Sequence, residues 1–97
     1  MSYEIILAPE AAQDLRRLSA RYRSSIRDTL ERHLRDEPGR ESRSGIKRLR
    51  WISRPHYRLR VGEFRVFYDV LEGAVEILAI VPKTQVEEWL KGIGGKA

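Results

Sequence analysis

Three arginines occupy alternating positions in one stretch of the chain, residues 56–70 (HYRLRVGEFRVFYDV). On both sides of Gly62, β-branched and aromatic residues alternate with polar ones, which predicts two short strands joined by a tight turn. Arg58 and Arg60 then share a face of the first strand, and Arg65 lies opposite the apolar face of the second. If the strands pair in register through the turn, the three guanidinium groups meet on one sheet surface. The stretch therefore predicts an anion-binding platform.

Guanidinium groups placed in this way suit phosphate, because each is always charged and its planar fork can hold two oxygens. During RNA backbone cleavage they would stabilise the extra negative charge that develops as the 2′-hydroxyl attacks phosphorus. Arginine is a poor general acid or base near neutrality, so a proton transfer would need another group. His56 is predicted to project toward the same face, and imidazole is suited to acid–base work. The plainer interpretation of His56 is a solvent-exposed residue that follows Pro55.

The positive charge of the chain is concentrated around this hairpin. Residues 40–65 hold nine lysines and arginines against two glutamates, whereas the whole chain of 97 residues has a net charge of +5. Such a basic middle third predicts a phosphate-binding surface, and its alternative is a solvated charged loop. The nucleic-acid-binding residues predicted from this region are Lys47, Arg48, Arg50, Arg54 and His56. Trp51, among these arginines, either stacks a base or plugs the edge of the sheet.

Composition excludes several other classes of function. The chain has no cysteine, so a disulfide framework, a thiolate zinc site and a cysteine nucleophile are all excluded. Its two histidines are too few for a histidine-rich metal site, and no phosphate-binding glycine loop or pair of carboxylates stands out. No window approaches the roughly 18 apolar residues that a membrane span needs, and the N-terminus does not resemble a secretion signal. We therefore expect a single cytoplasmic domain over residues 1–97, with no metal and no membrane association.

The rest of the chain divides into elements that can support the hairpin. The first half of the chain is predicted to form a strand over residues 3–8, a helix over 9–19 and a second helix ending at 34. A polar connector over 39–45 and a segment 46–53 then lead into the sheet. The hairpin follows, and after it come a strand over 75–81 and a short last helix. Pro9 suits the first turn of a helix, and Tyr22, Ile26, Leu30 and Leu34 recur every four residues. The first strand is apolar enough for burial on both faces.

This order, β-α-α-β-β-β-α, predicts an α+β fold. Two helices joined by a short link form an antiparallel hairpin, and each has one apolar stripe that a sheet can cover. We expect a small, largely antiparallel sheet with the helical hairpin on one face, a partly open second face and a short C-terminal helix. The pattern leaves open the sheet edge at which the first strand pairs.

Together these features resemble the RelE/ParE superfamily of type II toxin–antitoxin toxins. The resemblance rests on the element order, on PEAAQDLRRL after the first strand and above all on YRLRVGEFRVFYDV, and it covers about residues 3–90. It implies a growth-arresting toxin that is neutralised by a cognate antitoxin protein. In the RelE branch it further implies cleavage of mRNA in the ribosomal A site without a metal or other cofactor. The catalytic residues implied are then Arg58, Arg60 and Arg65.

The C-terminal segment departs from the RelE pattern. RelE-type enzymes continue after the last strand with a basic stretch, an arginine and a tyrosine or histidine, whereas this chain continues PKTQVEEWLKG. Lys83 retains a positive charge and joins the predicted nucleic-acid-binding residues. Val86 takes the place of the arginine, and Trp89 or Leu90 that of the tyrosine. An indole cannot exchange a proton as a phenol can.

Three functions follow from the sequence. The first, which we favour, is a ribosome-dependent mRNA endonuclease that uses the three hairpin arginines, with Lys83 or His56 assisting. The second is a ParE-like inhibitor of DNA gyrase, which needs no catalytic residues and fits the altered C-terminus. The third is a degenerate toxin whose remaining role is to bind its antitoxin.

Overall fold

The computed structural model describes residues 2–42 and 45–94, and its strands form one five-stranded sheet. The strands are β1 (Glu4–Leu7), β2 (Ile46–Arg48), β3 (Tyr57–Val61), β4 (Phe64–Leu71) and β5 (Ala74–Pro82). The helices are α1 (Pro9–Arg16), α2 (Ala20–Leu34) and α3 (Val86–Gly94), the last preceded by a 3-10 turn over Lys83–Gln85. The predicted α+β class is confirmed. Arg43, one of the basic residues counted above, lies outside the described residues.

The strand order is β1-β5-β4-β3-β2, with β1 parallel to β5 and every other neighbouring pair antiparallel. The largely antiparallel sheet is therefore as predicted, and β1 is placed at the β5 edge. The prediction that β1 is buried on both faces was wrong, because β1 is an edge strand and its Ile6 side chain is 41% exposed.

The sheet contains one strand more than the sequence predicted. Strand β2 pairs antiparallel with β3, placing Lys47 opposite Arg58. Its three residues, IKR, include a single apolar side chain, so they show no alternation that would mark a strand. Backbone pairing with β3 makes this segment a strand, and the observed order is β-α-α-β-β-β-β-α.

The helical hairpin covers one face of the sheet, as predicted. Helix α1 begins at Pro9 and ends at Arg16, three residues before its predicted end, because Ser19 already caps α2 by accepting the backbone N–H of Tyr22. Helix α2 buries Ile26, Leu30 and Leu34 at the predicted spacing of four residues, whereas Tyr22, the first residue of the predicted stripe, is 47% exposed. Together the helices and the sheet bury the main core, which includes Leu15, Leu59, Val66, Tyr68, Val75 and Ile77.

Helix α3 covers part of the opposite face. A second apolar cluster on that face consists of Leu49, Phe67, Ala79 and Val81, against which Ile52, Val86, Trp89 and Leu90 pack. The Trp89 and Phe67 rings are stacked with centroids 4.5 Å apart. The arginines of β3 and β4 lie on this second face, beside the part that α3 covers. Among the described residues, no helix has both the length and the apolarity that crossing a membrane requires.

Candidate functional site

The β3–β4 hairpin places its three arginines on one face. In the cross-strand register Arg60 is directly opposite Arg65, and Arg58 is opposite Phe67. Directly opposite residues of an antiparallel pair project to the same side of the sheet. Gly62 has a φ of 56° at the first central position of the two-residue turn, a conformation that favours glycine and fixes this register. We call Arg58, Arg60 and Arg65 the arginine cluster.

The arginine cluster is an uncompensated positive site. Within the described residues, no carboxylate lies within 4.0 Å of any of its guanidinium nitrogens. Burial, and then the charges of Arg60 and Arg65, lower the pKa of Arg58. The Nε atom of Arg58 is buried and has no hydrogen-bond acceptor among the described residues. An anion bound here would supply both the charge and the acceptor that the cluster lacks.

Backbone carbonyl groups orient two members of the cluster. An Nη atom of Arg58 lies 3.4 Å from the carbonyl oxygen of Gly45. One Nη atom of Arg65 donates to the carbonyl oxygens of Gly62 and Phe64, at 2.9 Å in each case. Arg60 is exposed. Arg58 and Arg65 are thus partly buried and oriented by the backbone, whereas the exposed Arg60 side chain can adjust its position to a bound phosphate group.

Of the predicted nucleic-acid-binding residues, Lys47 joins the arginine cluster. It is exposed and lies opposite Arg58 on β2, so it projects from the same face. Lys83 directly follows β5 and lies beside the turn of the β3–β4 hairpin, where its backbone N–H donates to the carbonyl oxygen of Glu63 at 2.8 Å. Its Nζ atom, however, lies 3.3 Å from a carboxylate oxygen of Glu63. Lys83 is therefore paired with the turn of the hairpin.

The other predicted arginines are engaged elsewhere. Arg48 donates to the Tyr57 hydroxyl at 3.2 Å and lies over its ring, on the face opposite the cluster. Arg50 pairs with Glu41 at 3.0 Å. Arg54 pairs with Asp69 at 2.5 Å and with Glu76 at 3.3 Å. These three arginines are therefore not part of one continuous basic surface with the arginine cluster, whereas Lys47 projects beside it.

His56 is part of a polar cluster that the sequence did not reveal. Its Nδ1 atom lies 3.3 Å from the backbone nitrogen of Val70 and 3.6 Å from a carboxylate oxygen of Asp69. Asp69 is 1% exposed and accepts the backbone N–H of His56 at 2.8 Å as well as the Arg54 Nε. These contacts hold the half-buried imidazole of His56 in place, which is typical of a structural histidine. Alternation placed Asp69 on this face, but nothing in the sequence indicated that a residue 15 positions earlier would cover it.

Tyr68, Trp89 and Trp51 differ in how far they are buried. Tyr68 is fully buried and donates its hydroxyl to the carbonyl oxygen of Pro38 at 2.7 Å, as expected of a core residue. Trp89 is half-buried against Phe67, and its Nε1 atom lies 3.4 Å from a carboxylate oxygen of Glu10. Trp51 is 63% exposed, so it does not plug the sheet edge. Among the described residues, no group of histidine and carboxylate side chains could hold a metal ion.

Comparison with known proteins places this arrangement in a family. A family model described as the ParE toxin of type II toxin–antitoxin systems, parDE, matches residues 5–86. The chain belongs to this toxin family. A search of curated protein sequences found no significant match.

Two solved structures share the fold of this toxin. The RelBE2 toxin–antitoxin complex from Mycobacterium tuberculosis contains a chain with 24% identity and a TM-score of 0.67, and the match covers 84% of this chain and 99% of that one. The archaeal RelE–RelB complex from Pyrococcus horikoshii OT3 contains a chain with 25% identity and a TM-score of 0.63, with coverage of 86% and 97%. The predicted membership of the RelE/ParE superfamily is confirmed.

The C-terminal helix α3 of this toxin contains neither a histidine nor a tyrosine. The positions that differ from the RelE pattern, Val86, Trp89 and Leu90, all pack against the apolar cluster around Phe67. The chemistry available at the cluster itself is therefore the binding and charge stabilisation of a phosphate group, without an imidazole or phenol contributed by α3.

Proposed function

The chain is a member of the type II toxin family, and we propose that it is a ribosome-dependent endonuclease that cuts mRNA. The observation that carries the proposal is the arginine cluster, in which three guanidinium groups share one face without a carboxylate partner among the described residues. We also propose that a cognate antitoxin protein neutralises it, because the chain matches the ParE toxin family model and one structural neighbour is a chain of a toxin–antitoxin complex.

In the proposed reaction the 2′-hydroxyl of one nucleotide attacks the adjacent phosphorus, and the bond to the 5′-oxygen of the next nucleotide breaks. The products are a 2′,3′-cyclic phosphate and a 5′-hydroxyl end. The proton lost by the 2′-hydroxyl balances the proton gained by the 5′-oxygen, so no water or other co-reactant is consumed. Arg58, Arg60 and Arg65 stabilise the additional negative charge on the phosphoryl oxygens, and Lys47 holds a neighbouring phosphate. The ribosome positions the mRNA, so the toxin itself needs little base-specific recognition.

Proton transfer is the weaker part of this site. Arginine is a poor general base, and His56 is held by Asp69 and by the backbone of Val70. Lys83 can assist only after it separates from Glu63. The rate acceleration then depends mainly on charge stabilisation and on the alignment of the 2′-hydroxyl.

The test is to induce the toxin without its antitoxin and to map the 5′ ends of cellular mRNA. The expected ends lie within translated codons and carry a 5′-hydroxyl, so they are captured only after treatment with a polynucleotide kinase. Arg65→Ala should abolish these ends, whereas Arg27→Ala, which removes an exposed arginine from α2, should leave them unchanged. Purified toxin should cut mRNA only when translating ribosomes are present.

Inhibition of DNA gyrase is the second candidate. It is favoured by the family model, which is that of the ParE toxins, and by the apolar packing of Val86 and Trp89 where a RelE-type enzyme carries polar groups. A toxin that acts by binding needs no proton donor. Growth arrest with intact mRNA and with loss of supercoiling by purified gyrase would decide for this candidate. Normal growth would instead leave antitoxin binding as the role of the chain.

A further inference from the structure

An apolar cleft lies between α3 and the segment 49–55. It has a volume of about 440 Å³ and is lined by Trp51, Glu87, Leu90 and Lys91. Trp51 is 63% exposed, more than any other exposed large apolar side chain of the described residues. On the helix, Glu87 and Lys91 lie one turn apart with their charged groups 3.8 Å from each other. The cleft therefore offers an aromatic wall and a leucine to a partner, between two charges that offset each other.

The backbone that carries Trp51 is fixed on both sides. Leu49 is buried in the Phe67 cluster, and Ile52 packs against the same cluster. Two residues further on, Arg54 is joined to the buried carboxylate of Asp69. An exposed aromatic side chain on a fixed backbone loses little conformational freedom when a partner binds, which is typical of anchor residues in protein interfaces.

The charges around Trp51 favour a protein over a nucleic acid. A base stacked on the indole would bring phosphates close to the flanking arginines. Arg50 is already paired with Glu41, however, and Arg54 with Asp69 and Glu76. The cleft itself is apolar, so an apolar side chain of a protein partner gains more there than a nucleotide.

Charge complementarity favours an acidic protein as the partner. Leu90 and Leu49 both pack with Phe67, and Phe67 lies opposite Arg58 in the sheet, so one apolar cluster separates the cleft from the arginine cluster. A partner that spans both must present an apolar side chain to the cleft and carboxylates to the guanidinium groups. A second copy of this chain, with its net charge of +5, meets that requirement poorly.

We propose that the cleft between Trp51 and Leu90 is the anchor site of the antitoxin, which inserts an apolar side chain there and lays an acidic segment over the arginine cluster. The inference rests on the antitoxin partner proposed above. It explains how one bound protein would block the phosphate site directly, because its carboxylates would occupy the positions that phosphate needs.

Fluorescence and affinity measurements with the cognate antitoxin test this site. In the Trp89→Phe toxin, Trp51 is the remaining tryptophan, and phenylalanine keeps an aromatic ring beside Phe67. Antitoxin binding should shift the Trp51 emission to shorter wavelength and protect it from acrylamide quenching. Trp51→Ala should weaken binding by about thirtyfold or more, as expected of an interface anchor. Leu71→Ala, which truncates a side chain that is 46% exposed at the end of β4, should bind as the wild type does.

The outcomes separate the two proposals. A wild-type toxin that fails to bind the antitoxin overturns the proposed partner. Binding that is equal in the wild type and Trp51→Ala, with Trp51 still open to acrylamide, overturns only the anchor site. Protection of Trp51 by a single-stranded oligonucleotide but not by the antitoxin would assign the cleft to RNA. Protection that rises with the concentration of toxin alone would assign it to a second copy, and either result overturns the inference.

Discussion

Arg60 and Arg65 lie directly opposite each other across the β3–β4 hairpin, and Arg58 projects beside them. Like charges at opposed positions of an antiparallel pair destabilise the pair. The hairpin retains three of them on one face, and burial together with the two neighbours lowers the pKa of Arg58. The repulsion between these arginines therefore lowers the free energy of unfolding of the free toxin, and an anion bound at the cluster would offset this loss.

The first prediction concerns the repulsion between Arg60 and Arg65. Arg60→Gln should raise the free energy of unfolding by about 0.5 kcal/mol at low ionic strength, because it removes one of two opposed charges. The gain should shrink at about 0.5 M salt, where exposed charges are screened. Urea unfolding at both salt concentrations measures the difference. Arg27→Gln, on the exposed side of α2, should change neither value, and a loss of stability in Arg60→Gln would contradict the prediction.

The second prediction concerns Arg58 and the balance between stability and toxicity. Arg58→Met should raise the free energy of unfolding by about 1 kcal/mol and abolish toxicity, since it removes a charge and a buried Nε without an acceptor but keeps most of the packing. A gain of this size corresponds to about 4–8 °C in Tm for a domain of this length. Arginine is charged in both folded and unfolded chains near neutrality, so the gain should be the same at about pH 6 and pH 8. Thermal unfolding tests the change in stability, and a growth assay tests the loss of toxicity. A more stable variant that remains toxic would show that Arg58 does not belong to the proposed site.

The third prediction concerns the buried carboxylate of Asp69. Asp69→Ala should lower the free energy of unfolding by about 2 kcal/mol, because it leaves the backbone N–H of His56 without its acceptor and removes the buried one of the two carboxylates that pair with Arg54. Asp28→Ala, on the exposed side of α2, is the matched control and should stay within about 0.5 kcal/mol of the wild type. Chemical denaturation provides both numbers. A cost below about 1 kcal/mol would show that water replaces the carboxylate.

The fourth prediction concerns Tyr68 at alkaline pH. Burial raises the pKa of Tyr68 above the usual tyrosine range, so the folded chain keeps a proton that the unfolded chain loses above about pH 10. The contribution to stability is complete below that pH and is lost as the pH rises further, by about 1.4 kcal/mol per pH unit. Tyr68→Phe should remove this part of the pH dependence, at a cost of about 1 kcal/mol for the hydrogen bond to Pro38. Tyr22→Phe, whose side chain is 47% exposed, should keep the wild-type slope.

Much of the candidate site could be predicted because it depends on local geometry. Strand alternation and the turn at Gly62 were sufficient to place Arg58, Arg60 and Arg65 on one face, since the side-chain period of a strand is two residues. The spacing of Ile26, Leu30 and Leu34 likewise identified the buried side of α2. The chemical role of the arginines stays a prediction, since position on a face does not establish a reaction.

What the sequence missed depends on contacts between distant segments. The pairing of Arg54 with Asp69 and that of Arg50 with Glu41 depend on the path of the chain between β2 and β3. Strand β2 was missed because its three residues are recognisable as a strand only through their partner β3. The short last helix was predicted, but its contact with Phe67 could not be derived from either segment alone.

The parallel pairing of β1 with β5 has a consequence for the synthesis of the toxin. Glu4 lies opposite Ala74, so β1 has no partner until β5, about 70 residues later in the chain, has also been synthesised. Contacts between residues so far apart in the chain form late and slowly, whereas the β3–β4 hairpin closes locally. A ribosome that stops midway through the message therefore releases a fragment that lacks the partner of its first strand. The complete sheet, and with it the stable support of the arginine cluster, forms only after β5 has left the ribosome.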